Sequence, residues 1–237
     1  MNAVNTASFP NIKDKIVAIF AYDKNTLELA EIENNPNIIA ITEEDPIDSN
    51  HVNNIAYNSD DNELWIRTIN NSIAMVLDAN SLQLKSYIQM PLSSGFDYYN
   101  KQWCFLQNSN NQYLLIKYNK DRDTQLERSN VYIQGTTQGF CYYNNLGFVP
   151  NSSIISTGSG NSITVINTIL NKVIAVWFFE GNAEFEDIAC DGNIIYVLIN
   201  RNNGYGIYCG AYNPLNLPTA ELRNKQDAIP WNSNILD

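Results

Sequence analysis

Three aspartates carry the clearest hint of chemistry in this chain: Asp97, Asp187 and Asp227. Each stands a few residues before an Asn or Asp that closes a short apolar run: Asn100, Asp191 and Asn232. Glu184 and Glu186 lie close to Asp187. Two carboxyl groups held roughly 5–10 Å apart can flank a glycosidic bond, one protonating the leaving oxygen and the other serving as nucleophile or base. The plain alternative is a set of acids bonded to backbone and water.

Other chemistries find less. His51 is the one histidine, which removes multi-histidine metal sites and weakens any Ser-His-Asp or Cys-His arrangement. No Walker-type loop is present, and Gly158-Ser159-Gly160 lies between apolar runs with no helix after it, so it reads as a β-turn. No motif calls for a cofactor. Asp60, Asp61 and Glu63 form one acidic loop, and Glu43, Glu44, Asp45 and Asp48 another. Ca²⁺ takes about six to eight oxygens, and neither loop has the spacing of a calcium loop. They are weak calcium candidates beside the simpler reading of a solvated face.

Aromatic pairs suggest binding instead. Tyr98-Tyr99 and Tyr142-Tyr143 occupy equivalent places, and Trp231 stands at a third. Side chains alternate along a strand, so one Tyr of each pair points into a core and the other away from it. Tyr98, Tyr99, Tyr142, Tyr143 and Trp231 together could form an aromatic layer that stacks on sugars or anchors a protein. Packing between neighbouring sheets is the bland reading. Cys104, Cys141, Cys190 and Cys209 each sit in an apolar run without a CxxC pair. They read as reduced core thiols, and spacing alone assigns no disulfide.

The elements that must position these residues are short strands. From Val52 onward, four apolar runs alternate with polar turns: Val52–Asn58, Leu64–Ile66, Ile73–Asp78 and Leu82–Ile88. A hairpin cornered by Asp or Asn recurs at Asp23, Asp78, Asn119, Asn167 and Asn213. A short acid or amide suits such a corner because its side chain caps backbone N–H groups just ahead. A second marker recurs as Ala56-Tyr57-Asn58, Tyr98-Tyr99-Asn100, Tyr142-Tyr143-Asn144, Ala189-Cys190-Asp191 and Pro230-Trp231-Asn232. Both markers keep one phase through the chain, at intervals of roughly 40–55 residues. A four-stranded repeat of that length is the signature of a β-propeller blade.

The expected fold is therefore all-β: a five-bladed β-propeller of four-stranded antiparallel blades in one domain, 1–237. The blades fall at about 52–90, 94–133, 137–179 and 184–223. The fifth is shared by the termini, 225–237 plus 15–33, which removes exposed sheet edges. Residues 34–51 depart from the repeat and read as an insertion. The competing reading is a piece of a longer propeller.

The phrases Ile73-Ala74-Met75-Val76-Leu77-Asp78-Ala79-Asn80-Ser81-Leu82 and Ile163-Thr164-Val165-Ile166-Asn167-Thr168-Ile169-Leu170-Asn171-Lys172-Val173 resemble the YVTN and NHL-like group of β-propellers. The resemblance implies radially arranged four-stranded sheets and no particular activity, since such folds host binding, scaffolding and catalysis alike. Five-bladed glycosidase propellers resemble this layout and place acids on the inner strands, which is what would give Asp97, Asp187 and Asp227 a catalytic role.

Composition narrows the partners. The chain has 237 residues, 14 Lys and Arg against 25 Asp and Glu, and a net charge of -11. Such a surface repels phosphate, arguing against nucleic acid and anionic membranes. No apolar run reaches the length of a membrane span. The first ten residues lack the basic-then-apolar pattern of a signal peptide. A cytoplasmic location, a virion if the chain is viral, or export by another route is expected. Asn makes up about one residue in six, which suits many tight corners. Together these features favour a non-enzymatic binding or assembly module with protein partners in a larger assembly, such as a phage virion or tail. The alternatives are a glycoside-processing enzyme and a carbohydrate-binding lectin. Loop sequences differ between blades, which counts against a lectin with one site per blade.

Overall fold

The computed structural model describes residues 15–21, 23, 28, 30–35, 37–41, 45–47, 52–68, 72–109, 112–133, 136–152, 161–179, 184–201, 204–211 and 229–230, with side chains as far as Ile199. These residues form nineteen short strands in two compact units, 1–92 and 93–237. Among them no helix is long and apolar enough to cross a membrane.

In the first unit, β3 (Val52–Asn58), β4 (Glu63–Thr68), β5 (Ile73–Asp78) and β6 (Leu84–Gln89) make a four-stranded antiparallel sheet in sequential order. Its corners follow the expected chemistry. Asp78 Oδ1 accepts the N–H groups of Asn80 and Ser81 at 3.0 and 2.9 Å. Asn58 Oδ1 accepts those of Asp60 and Asp61. Leu82 then turns through a left-handed backbone, φ 59°, and buries its side chain. One face of this sheet, through Ile66, Met75, Leu77 and Leu82, packs against Val17, Ile19 and Ile39.

Those last residues lie on β1 (Lys15–Ile19) and β2 (Asn37–Ile41), an antiparallel pair. This pairing differs from the expected one. The partner of β1 comes from the stretch read as an insertion, while Glu28 and Ala30 stay near the corner. There Asp23 N–H donates to Glu28 O and Ala30 N–H to Ala21 O. The physical reason is amphipathic alternation: in Asn37–Ile41, Ile39 turns its side chain into the core beside Val17 and Ile19.

The second unit holds three sheets. β7 (Gly95–Tyr99), β8 (Gln102–Ser109), β9 (Gln112–Asn119) and β10 (Gln125–Val131) form an antiparallel set of four. The next is built on β12 (Cys141–Tyr143), β13 (Leu146–Ser152), β14 (Asn161–Asn167) and β15 (Lys172–Phe179). β11 (Thr136–Thr137) pairs with the far end of β13, so β11 and β12 form one interrupted inner strand. β16 (Glu184–Asp191), β17 (Ile194–Arg201) and β18 (Gly204–Ala211) make the third sheet. Its expected outer strand, Thr219–Leu222, lies outside the described residues.

β19 (Ile229–Pro230) pairs in parallel with Trp177 and Phe178 of β15. It had been expected as the inner strand of the terminal blade. An outer edge suits Pro230, which has no N–H to give to a further strand.

The middle sheet is apolar on both faces. Phe140, Tyr142, Val149, Ile166 and Val173 meet Cys104, Leu106, Tyr113 and Leu115 of the sheet before it. Cys141, Phe148, Ile163, Val165 and Trp177 meet Phe185, Ile188, Ile195, Val197 and Ile199 of the sheet after it. Alternation along each strand divides the two sets, as a sheet buried between two others requires.

Candidate functional site

The inner strands β7, β12 and β16 come together in this second unit, and they carry most of the candidate residues. Tight turns set their phase. Asn100-Lys101 and Asn144-Asn145 both have positive φ (50° and 62°; 48° and 62°), the conformation of a two-residue hairpin turn. Asn dominates the positive-φ positions among the described residues, which suits it to these corners.

Counting back from these turns gives three matched rows on one face of the strands: Tyr99, Tyr143 and Asp191; then Asp97, Cys141 and Ala189; then Gly95, Gly139 and Asp187. The last row is the tightest. A Cβ on Gly95 would lie 2.5 Å from Phe140 Cβ and 2.7 Å from the Gly139 carbonyl carbon. A Cβ on Gly139 would lie 2.2 Å from Asp187 Oδ1 and 2.9 Å from its Cα. Glycine is what lets these backbones approach. Bulges mark the same region: β16 shifts register between Phe185 and Asp187, and the inner strand of the middle sheet breaks at 138–140.

Asp97 occupies the second row. Its Oδ1 accepts the Tyr98 N–H and its Oδ2 accepts the Tyr142 N–H, each at 2.8 Å. Some of its surface remains accessible, yet the surrounding protein dominates its acidity. Burial raises its pKa to about 7, against the pull of the Tyr142 and Tyr98 N–H groups and the Cys141 thiol. Asp187 is half-buried, and its Oδ1 takes the Ile188 N–H at 2.9 Å. Both aspartates thus cap the N–H of the next residue. Glu184 is exposed and accepts a hydrogen bond from Gln138. Asp227 lies outside the described residues.

The tyrosines divide as alternation requires. Tyr98 and Tyr142 are buried, and Tyr99 and Tyr143 are half-buried. Tyr98 packs on Trp103 with ring centroids 4.8 Å apart. Tyr142 lies beneath Lys117, whose Nζ is 6.0 Å from the ring centre. Tyr99 and Tyr143 face each other across neighbouring sheets at 4.8 Å, and Tyr142 meets Tyr99 edge-on at 6.0 Å. Burial and the nearby Tyr99 raise the Tyr143 phenol above its ordinary pKa. Trp231 and His51 lie outside the described residues.

The acidic loop is engaged locally. Asp61 accepts from Asn58 Nδ2 at 2.9 Å. Glu63 takes the Trp65 indole N–H at 3.0 Å and pairs with Lys85 at 2.6 Å. Among the described residues no group of three or more His, Cys, Asp or Glu is placed to hold a metal ion.

Three features were not drawn from the sequence. Lys117 is buried, donating to Thr168 O at 2.6 Å and Glu127 Oε2 at 2.9 Å, which ties the first sheet of this unit to the second. Asn171 donates to the other oxygen of Glu127. A lysine inside Tyr113-Leu114-Leu115-Ile116-Lys117 was the available signal, since a charge in a buried strand needs partners. In the first unit Arg67 on β4 is fully buried, and burial lowers its pKa to about 10. The third is the packing of Cys190 against the core that holds Cys141.

No family model matches the sequence, and no curated protein matches it. Solved structures do. A glutaminyl cyclase from Myxococcus xanthus is similar at a TM-score of 0.50 and 13% identity, covering 68% of this chain and 74% of that one. A chain of a nidogen/laminin complex is similar at 0.50 and 11%, covering 84% and 73%. These neighbours are β-propellers. The fold is a β-propeller. A third neighbour, Kuenenia stuttgartiensis hydrazine synthase, matches at a TM-score of 0.46 and 9% identity, with this chain spanning about half of its length (49%). The likeness is one of fold, in keeping with the expected blade architecture. The sheets β3–β6, β7–β10 and β12–β15 each supply the four antiparallel strands of a blade.

Proposed function

We propose that this propeller is a non-enzymatic binding or assembly module that holds a protein partner at the Tyr99–Tyr143 ledge. The observation supporting this most is the pair of half-buried rings, 4.8 Å apart, at the turn ends of two neighbouring inner strands. Flat amphipathic rings on a rigid frame bind at low conformational cost, and tyrosine is enriched at interfaces for that reason. The acidic balance, -11, favours a partner with a neutral or basic surface. A virion or tail assembly is one setting for such a module, a suggestion resting on composition.

The test is affinity capture with the whole chain, comparing Tyr99→Ala and Tyr143→Ala with the natural sequence. Loss of a co-purifying protein by about tenfold in affinity for each variant, with melting little changed, is the expected result. Undiminished capture by both variants would overturn the ledge. A glycan panel run alongside separates the lectin reading.

One observation favours a second reading. A carboxyl titrating near 7, as Asp97 does, suits a general acid. Against it, both oxygens already accept backbone N–H groups. Glycan hydrolysis abolished by Asp97→Ala and by Asp187→Ala would establish the enzyme and sink the scaffold.

Our reading of the blade number is five, from the five phase markers along the chain. Deleting residues 225–237 should lower the melting temperature of the whole protein if the termini share a blade. Unchanged melting refutes it.

A further inference from the structure

Cys141 and Cys190 lie on β12 and β16, the inner strands of neighbouring blades. Cys141 is buried in the core between these blades, and Cys190 packs against that core while remaining half-buried. Both side chains face the one core that lies between these two inner strands. Cys190 Sγ also lies 3.4 Å from Gly192 O, in the turn that follows it. Cys104, by contrast, is buried in the core on the other side of the middle blade, beside Leu106 and Leu115. Among the cysteines whose side chains are described, the geometry thus singles out one pair. Closing it brings the sulfurs to the disulfide length of about 2.05 Å. The two Cys belong to strands already packed together, so the bond would span neighbouring blades rather than one sheet.

We propose that Cys190 and Cys141 are a reactive dithiol that low-molecular-weight disulfides convert to a disulfide joining adjacent blades. Cys190, the more accessible thiol, attacks the small disulfide as its thiolate. One small thiolate leaves, and a mixed disulfide forms on Cys190. Cys141 then attacks the Cys190 sulfur and displaces the second small thiol. Two protein thiols and one small disulfide thus give one protein disulfide and two small thiols, and the two thiol protons end on the released thiols. The neighbouring Cys190 and burial hold the Cys141 thiol above its ordinary pKa, so Cys190 rather than Cys141 is the thiol that attacks first.

The test uses the full chain, folded and reduced, incubated with oxidised glutathione. Remaining thiols are alkylated and the protein is digested without reduction for mass spectrometry. The expected result is a linked peptide pair holding Cys141 and Cys190. In Cys141→Ser the expected result is a stable glutathione adduct on Cys190. A lasting adduct on Cys190 in the natural chain would overturn the proposal. So would an untouched Cys190, or a bond from it to Cys104 or Cys209.

Discussion

Asp97 Oδ2 accepts the backbone N–H of Tyr142 at 2.8 Å, so a side chain of one inner strand completes a hydrogen bond for the next. The same carboxyl caps its own neighbour, Tyr98, through Oδ1. A carboxylate in this position links two blades without a shared sheet.

That placement has a pH signature. Burial raises the folded pKa of Asp97 to about 7, from an ordinary value of 3.8. Between those values the folded chain holds a proton that the unfolded chain has released. Stability from this group is therefore present at acid pH, falls as pH rises toward 7, and levels off above it. Asp97→Asn carries no such titration. Urea unfolding from pH 4 to 8 should show the natural chain losing stability relative to Asp97→Asn across that window. A difference that stays flat with pH would exclude a raised pKa.

Gly139 faces Asp187 too closely for a side chain. An alanine Cβ would meet both the carboxylate and the Cα of Asp187, and the second contact is backbone. Gly139→Ala should lower stability by about 1–3 kcal/mol, the usual cost of overpacking. Adding Asp187→Ala removes only the carboxylate contact and should restore part of the loss. Urea midpoints of the two variants decide this.

Lys117 is an interior cation with fixed acceptors. Lys117→Met leaves Thr168 O without its charged donor and Glu127 without its pair, so a loss of about 1–3 kcal/mol is expected. Burial pushes the Glu127 carboxyl up, but its bonds to Asn171 and Lys117 more than offset this and hold it below the usual range. A double-mutant cycle with Glu127→Gln should therefore give a coupling between the two residues, and additive losses would remove the ion pair from the account.

The repeat was legible because it is local chemistry. Asp78 and Asn167 cap their own turns, and Asn100 and Asn144 open two-residue hairpins whose backbone favours Asn. Those choices depend on a few consecutive residues, so the phase of the blades could be read from them. The division of Tyr98 and Tyr142 from Tyr99 and Tyr143 followed from strand alternation for the same reason.

Pairing between distant segments was not legible in the same way. Leu27–Ile32 and Ile38–Ile41 offer β1 similar apolar patterns, and the choice between them rests on which one buries Ile39 beside Val17 and Ile19. The contacts of Asp97 with Tyr142 and Lys117 with Thr168, and the core shared by Cys141 and Cys190, join residues roughly 45–50 positions apart, about one repeat. Sequence determined which short stretches become strands and where each turns, because capping, alternation and left-handed corners act over a few residues. Tertiary structure decided which side chains meet across blades, because that depends on how closely the inner strands approach, and glycines at 95 and 139 set that distance only once the sheets are stacked.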